Sequence, residues 1–175
     1  MPARLGHLRL DVADLDALSA FYGEALGLTV RERATDDESH YAFLTDAQPV
    51  PGAEGGMHHR LVLRQARDGR APERGGPLDH VAWEVADEAE LLAAVERLRG
   101  LGVETDLQDA RIAWQCYARD PEGNRLEVYC DRRDRPDGAP LWQGRQSALS
   151  EGRLREAAGA RQGASSSVGS GSSAQ

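Results

Sequence analysis

The 175-residue chain has little of what would commit it to an unusual environment. It holds two cysteines, Cys116 and Cys130, in no metal-type spacing. It has no run of about 18 apolar residues, the length a membrane-spanning helix needs. Its N-terminus lacks the apolar stretch of a signal peptide. It also lacks a positive balance: 21 Lys and Arg face 29 Asp and Glu, for a formal net charge of -8. Such a chain repels phosphate backbones, so nucleic acid is not an expected partner. The basic stretches 60–74 and 132–135 are interrupted by Asp, Glu, Gly or Pro and read as solvated loops. A soluble, reducing, cytoplasmic setting is the default expectation.

What the chain does have is an ordinary hydrophobic content, 40%, and an internal repeat. Residues 5–14, Leu-Gly-His-Leu-Arg-Leu-Asp-Val-Ala-Asp, lie in register with residues 78–87, Leu-Asp-His-Val-Ala-Trp-Glu-Val-Ala-Asp. His7 falls on His80, Val12 on Val85 and Asp14 on Asp87. Each copy opens as an alternating strand. Leu8, Leu10 and Val12 face one way, and His7, Arg9 and Asp11 the other. In the second copy Val81, Trp83 and Val85 oppose His80, Ala82 and Glu84.

Asp14 and Asp87 then occupy N-cap positions. Apolar residues follow at helical spacing: Leu15, Leu18, Phe21, Tyr22 and Leu26, then Leu91, Leu92, Val95 and Leu98. Gly27 and Gly102 come where a glycine past a helix end is expected. Three β-rich segments close each copy, near 29–33, 41–45 and 59–65, then 104–107, 113–119 and 125–130. Asp120-Pro-Glu-Gly123 supplies the turn before the last strand. The expected fold class is α+β, with two tandem βαβββ modules (about 4–66 and 77–131) within a domain spanning 1–133. Together they are expected to form a half-open, eight-stranded, barrel-like sheet around one metal site. The segment 134–158 reads as a strap that could lay Trp142 against the body, followed by a short helix over 147–156. The Gly-, Ala- and Ser-rich stretch 159–175 is expected to be disordered.

Period-two phase decides which side chains meet. Leu126 and Val128 should pack on the helix, which turns Glu127 to the opposite face. Leu61 and Leu63 do the same to Val62. The four repeat-related positions on that face are then His7, Val62, His80 and Glu127. Taken singly, a strand histidine or glutamate is usually structural or exposed; three ligand types at equivalent positions point to metal binding. Two imidazoles and one carboxylate leave open positions on the ion, a pattern of non-heme Fe(II) sites.

These residues carry a resemblance to the vicinal oxygen chelate superfamily over about residues 4–131. It rests on Gly6-His7-Leu8-Arg9-Leu10, Phe21-Tyr-Gly-Glu-Ala-Leu-Gly-Leu28, Asp79-His80-Val-Ala-Trp-Glu-Val85 and Asp120-Pro-Glu-Gly-Asn-Arg-Leu-Glu127-Val128. Members include glyoxalase I, fosfomycin and bleomycin resistance proteins, methylmalonyl-CoA epimerase and extradiol ring-cleavage dioxygenases. Met57-His58-His59-Arg-Leu-Val-Leu63 resembles the paired-histidine segment of type I extradiol dioxygenases, whose second histidine, here His59, is the acid–base catalyst. Tyr117, ten residues before Glu127, has the spacing of that branch's active-site tyrosine. Val62 stands where glyoxalase I and the epimerase carry a fourth ligand. Well-known extradiol dioxygenases have two such module pairs; this chain has one. Its stretch 106–111 has no residue-by-residue match to their polar residues, and its Arg-rich insertion between His59 and His80 is longer.

The resemblance implies Fe(II), with Mn(II) or another divalent metal as the alternative, held by His7, His80 and Glu127. It implies a small aromatic diol and O2 as reactants, with His59 and Tyr117 catalytic. Two other readings stand beside it: a metal-dependent isomerase or lyase of the glyoxalase and epimerase kind, and a non-catalytic drug binder. Uncovered sheet edges make a homodimer the expected assembly.

Overall fold

A computed structural model of the chain describes residues 5–46, 59–72 and 78–168, with residues 161–168 described by backbone alone. The chain divides into two units: Met1–Pro77 with Asp120–Gly123, and Leu78–Arg119 with Asn124–Gln175. The fold is α+β, and its strands fall into two sheets, neither of them closed.

The first unit contains β1 (Leu8–Asp11), α1 (Leu15–Leu26), β2 (Leu28–Thr35), β3 (Ser39–Asp46) and β4 (Leu61–Ala66). Helix α1 starts because extended Asp14 accepts a hydrogen bond from the Ala17 amide at 2.9 Å. It stops at Gly27, whose left-handed φ of 72° lets its N–H return to the Gly23 and Tyr22 carbonyls. Leu15, Leu18, Phe21, Tyr22 and Ala25 are its buried stripe. The sheet runs β1-β4-β3-β2, with β1 parallel to β4 and the other pairs antiparallel. Leu44, Leu61 and Leu63 are fully buried, and Val12 nearly so.

The turn Asp120–Gly123 belongs to this unit and charges its helix end. The Glu122 carboxylate accepts from the Ala13 amide at 2.8 Å and the Asp14 amide at 2.9 Å, a favourable place for an anion near a helix N-terminus. The Tyr22 hydroxyl donates to Asp120 at 3.0 Å.

The second unit repeats the plan with β5 (Val81–Val85), α2 (Glu88–Gly100), β6 (Asp106–Asp109), β7 (Ala113–Arg119) and β8 (Arg125–Asp131). Asp87 caps α2 by accepting from the Ala89 and Glu90 amides at 3.0 and 3.1 Å. Leu91, Ala94, Val95 and Leu98 are fully buried with Cys116, Val128 and Cys130. The sheet order is β5-β8-β7-β6, matching the first unit, and a further strand, β9 (Ser147–Ala148), pairs with β6.

The segment after β8 differs from the sequence expectation in three ways. Residues 147 and 148 form β9 where a helix was predicted, because β6 offers an unpaired edge. The helix, α3, starts later, at Glu151, and runs to Val168, into the stretch whose composition suggests disorder. Leu154 and Ala158 are buried along its first half, and α3 packs on α2, which supports the helix up to the start of that stretch. Trp142 is 49% exposed rather than laid against its unit. Its turn is held by Arg145, which donates to the Leu141 and Trp142 carbonyls at 2.5 and 3.1 Å.

A cluster of charges fastens this segment. Arg132 pairs with Glu88 and Asp137, and Arg135 reaches Glu88 at 3.0 Å. Arg153 bonds Asp109 and Asp137, each at 2.7 Å. The Arg132 and Arg153 guanidiniums stack over Trp114, 3.8 and 4.9 Å from the ring centre. Glu88, Asp109 and Arg132 are all buried, which ionised groups tolerate only when paired. Gly138 passes so close that a Cβ there would run into the Arg132 carbonyl. Among the described residues, no helix is long and apolar enough to cross a membrane.

Candidate metal and substrate site

In the second unit, three strands bring polar groups to the sheet face away from α2. His80 sits immediately before β5, and the β5–β8 register sets Ala82 beside Glu127. The β7–β8 register sets Tyr117 on the other side of Glu127. Leu126 and Val128 are buried toward the helix, so alternation turns Glu127 to the opposite face, where it is 5% exposed.

The side chains converge. His80 Nε2 lies 3.0 Å from Glu127 Oε2, and His80 Nδ1 lies 2.6 Å from Asp79 Oδ2. Arg125 holds the same Asp79 oxygen at 2.9 Å and stacks over Tyr117, 4.3 Å from its centre. The Tyr117 ring meets His80 edge-on at 5.6 Å. The hydrogen bond with His80 holds Asp79 below the usual carboxylate range, with further help from Arg125. Burial, then the hydrogen bond with Glu127, pushes the Tyr117 phenol up to about 12, so it remains a donor at neutral pH.

The His80 contacts test whether a cation fits. A neutral imidazole carries one N–H and can donate to one carboxylate only, yet His80 has a carboxylate at each nitrogen. With the N–H at Nδ1 facing Asp79, the Nε2 lone pair faces Glu127, two acceptors head to head. A second ring proton, or a cation shared by Nε2 and Glu127, removes that conflict; with the cation, both atoms donate lone pairs to it. A separation of 3.0 Å also suits adjacent ligands that each sit about 2.1 Å from one ion. Asp79 then does what carboxylates commonly do behind a ligating histidine: it fixes the tautomer and the ring orientation. His80 and Glu127 therefore fit a divalent metal.

The first unit presents a different set. His7 sits just before β1 and is exposed. Its ring lies 4.6 Å from that of His59, which in turn lies 5.0 Å from Phe43. Val62 pairs with Arg9 and Phe43, the positions that Ala82 and Tyr117 hold around Glu127. His58 lies outside the described residues. The triad read from the sequence is thus divided, with His7 in one unit and His80 and Glu127 in the other. Within either unit, among the described residues, no three His, Cys, Asp or Glu side chains form a metal-holding group.

Sequence reasoning quoted Asp79 within a motif but gave it no role; the signal was its place next to a histidine already singled out. Arg125 was missed too. Cys116 is fully buried, with its thiol pushed up to about 12 by burial, so it is not set up as a nucleophile.

Residues 4–128 match the Glyoxalase/Bleomycin resistance protein/Dioxygenase superfamily. The chain belongs to that superfamily, as its paired modules and the Glu127 strand lead one to expect. Among curated relatives, it is 27% identical over 131 residues to a biphenyl-2,3-diol 1,2-dioxygenase of Sphingomonas paucimobilis, covering 71% of this chain and 38% of that protein. It is 23% identical over 133 residues to a 1,2-dihydroxynaphthalene dioxygenase of Sphingobium xenophagum, covering 73% and 39%. The chain thus spans about two-fifths of the length of these relatives. Its fold is similar to a glyoxylase/bleomycin resistance protein/dioxygenase domain from Frankia sp. EAN1pec (TM-score 0.62, 26% identity, 75% of this chain and all of that one). It is also similar to the fosfomycin resistance protein FosX of Listeria monocytogenes, solved with Mn(II) and sulfate (TM-score 0.55, 20% identity, 74% and 93% covered).

Proposed function

We propose that the chain is a metal-dependent dioxygenase that opens a catechol-type ring next to its two hydroxyls, using O2. The observation that carries this reading is His80 between two carboxylates, Asp79 at 2.6 Å and Glu127 at 3.0 Å. His80 and Glu127 would hold the metal, and His7, the repeat counterpart of His80, is assigned as the third ligand on sequence grounds. Fe(II) is the proposed ion and Mn(II) the alternative. When bound, it would supply a Lewis acid that acidifies the diol and a template for diol and dioxygen.

The remaining work falls to this chain's own groups. Asp79 keeps the His80 ring turned so that Nε2 presents its lone pair. An imidazole nitrogen of His59 takes the proton of the second hydroxyl and later returns it, a task suited to a group that titrates near neutrality. The Tyr117 O–H donates a hydrogen bond to the oxyanion that develops on the ring. Val62, assigned to the cavity face by sequence phase, would exclude water. One ring C–C bond breaks, and both atoms of O2 end in a ring-opened semialdehyde. The two curated relatives, named for aromatic diols, support an aromatic substrate.

The test is anaerobic purification and Fe(II) or Mn(II) loading, followed by oxygen uptake with catechol, 2,3-dihydroxybiphenyl and 1,2-dihydroxynaphthalene. One O2 consumed per diol, with the new absorbance of a ring-opened oxo acid, is expected. No uptake with any diol, together with anaerobic conversion of an α-hydroxy thioester or ketone, would assign the site to isomerase or lyase chemistry instead.

A further inference from the structure

We propose that Gln115 is a specificity-determining residue that reads a hydrogen-donating substituent on the substrate ring. This rests on the ring-cleavage reading above. The register of the second sheet lays its open face out in rows. One row holds Ala82, Glu127, Tyr117 and Asp106; the next holds Glu84, Tyr129, Gln115 and Gln108. Paired residues share a face, and two residues along a strand restore it. Gln115 therefore stands on the same face as Tyr117 and Glu127, one row further along. Two residues of strand span about 7 Å, which puts that row within reach of a substituent on a diol ring held at Glu127.

The polar groups of this second row are unequal. The Tyr129 hydroxyl is engaged with Glu84 at 3.2 Å. The Gln108 amide donates to Asp106 at 2.8 Å. The Gln115 Oε1 is buried and has no hydrogen-bond partner among the described residues, while the residue as a whole remains partly exposed. A buried acceptor without a donor is unfavourable, and native proteins seldom keep one without a use. On this face, beside Tyr117 and one row from the His80–Glu127 pair, the missing donor fits a ligand O–H or N–H. A substrate ring bearing such a group satisfies the carbonyl, whereas an alkyl group of the same size leaves it stranded; sites built this way discriminate by the penalty on the wrong ligand.

The experiment compares near-isosteric probes, 3- and 4-(hydroxymethyl)catechol against 3- and 4-ethylcatechol. Dissociation constants are measured anaerobically on the full Fe(II)-loaded chain by quenching of tryptophan fluorescence. Wild type should bind the hydroxymethyl probe about tenfold more tightly than its ethyl partner at one of the two ring positions. Gln115→Met, nearly the same shape without the amide, should bring that ratio to about one by weakening the hydroxymethyl probe alone. Gln115→Glu, which keeps an acceptor, should retain the preference and carries the test if the Met variant does not fold. Metal content and far-ultraviolet circular dichroism are followed in parallel. Equal binding of both probes by wild type, or an unchanged ratio in Gln115→Met, overturns the role of Gln115 and leaves the ring-cleavage reading intact. A wild type that binds no catechol at all overturns both.

Discussion

The two units share one plan and put different chemistry into the same places. Val62 and Glu127 occupy equivalent register positions and are almost equally buried, 4% and 5% exposed. Phe43 and Tyr117 stand beside them in the same relation. In the first unit these positions carry hydrocarbon, which needs no partner. In the second they carry a carboxylate and a phenol, and the structure around them supplies His80, Asp79 and Arg125. The repeat therefore settles position and burial, while single side chains settle function. The outer edges differ as well. Strand β2 ends its sheet among the described residues, with a bulge between Val30 and Glu32 and the charged run Arg31, Glu32 and Arg33 to discourage pairing. Strand β6 is instead covered by β9, which the buried charge cluster holds in place.

The largest expected effect comes from making the second face like the first. Glu127→Val should abolish tight metal binding and lower the oxygen-uptake kcat/KM by about a thousandfold, roughly 4 kcal/mol in the barrier. The urea midpoint should hold or rise, because a buried carboxylate gives way to hydrocarbon of tolerable shape. Retained metal by elemental analysis, with retained activity, would show that the second face is not where the ion binds.

Next is the charge cluster. Glu88→Ala leaves Arg132 buried with one carboxylate partner fewer and should cost about 3 kcal/mol in urea unfolding. The matched change in the first unit, Asp16→Ala at the exposed Arg33 pair (2.9 Å), should cost under about 1 kcal/mol. Similar losses for both would mean that the cluster does not anchor the C-terminal segment.

Tyr117→Phe copies Phe43 into the second unit. It should lower kcat about a hundredfold and leave KM nearly unchanged, as expected for a donor used mainly in the transition state. A rise in KM alone would make Tyr117 a binding group.

The smallest effects belong to the helix caps. Asp87→Ala should destabilise by about 1 kcal/mol, since two amides lose their acceptor. Asp14→Ala removes one amide's acceptor and leaves Glu122 at the same helix end, so its thermal shift should be the smaller of the two.

Much of this was readable beforehand where the cause is local. Alternation set the faces of Leu126, Glu127 and Val128, the two capping aspartates marked the helix starts, and Gly27 marked a helix stop. The segment after residue 132 was harder. Nothing near Ser147 announces a strand, because its partner is β6, some 40 residues earlier. Leu154 and Ala158 look too sparse to hold a helix until α2 is there to receive them. Trp142 was expected to lie against the body, as large aromatics usually do; it is instead half exposed, in a turn that Arg145 braces.

The chain's own order of residues determined the doubled βαβββ plan, the phase of the strands that open and close each copy, and which face Glu127 presents. Capping, turn chemistry and period-two alternation act between near neighbours and are written in short stretches. Only the tertiary structure decided partnerships: Asp79 and Glu127 on opposite nitrogens of His80, Arg132 on Glu88, and an acceptor on Gln115 left without a donor among the described residues. Each of these depends on strands and helices that packing alone brings together, and a buried polar group takes its role from what ends up beside it.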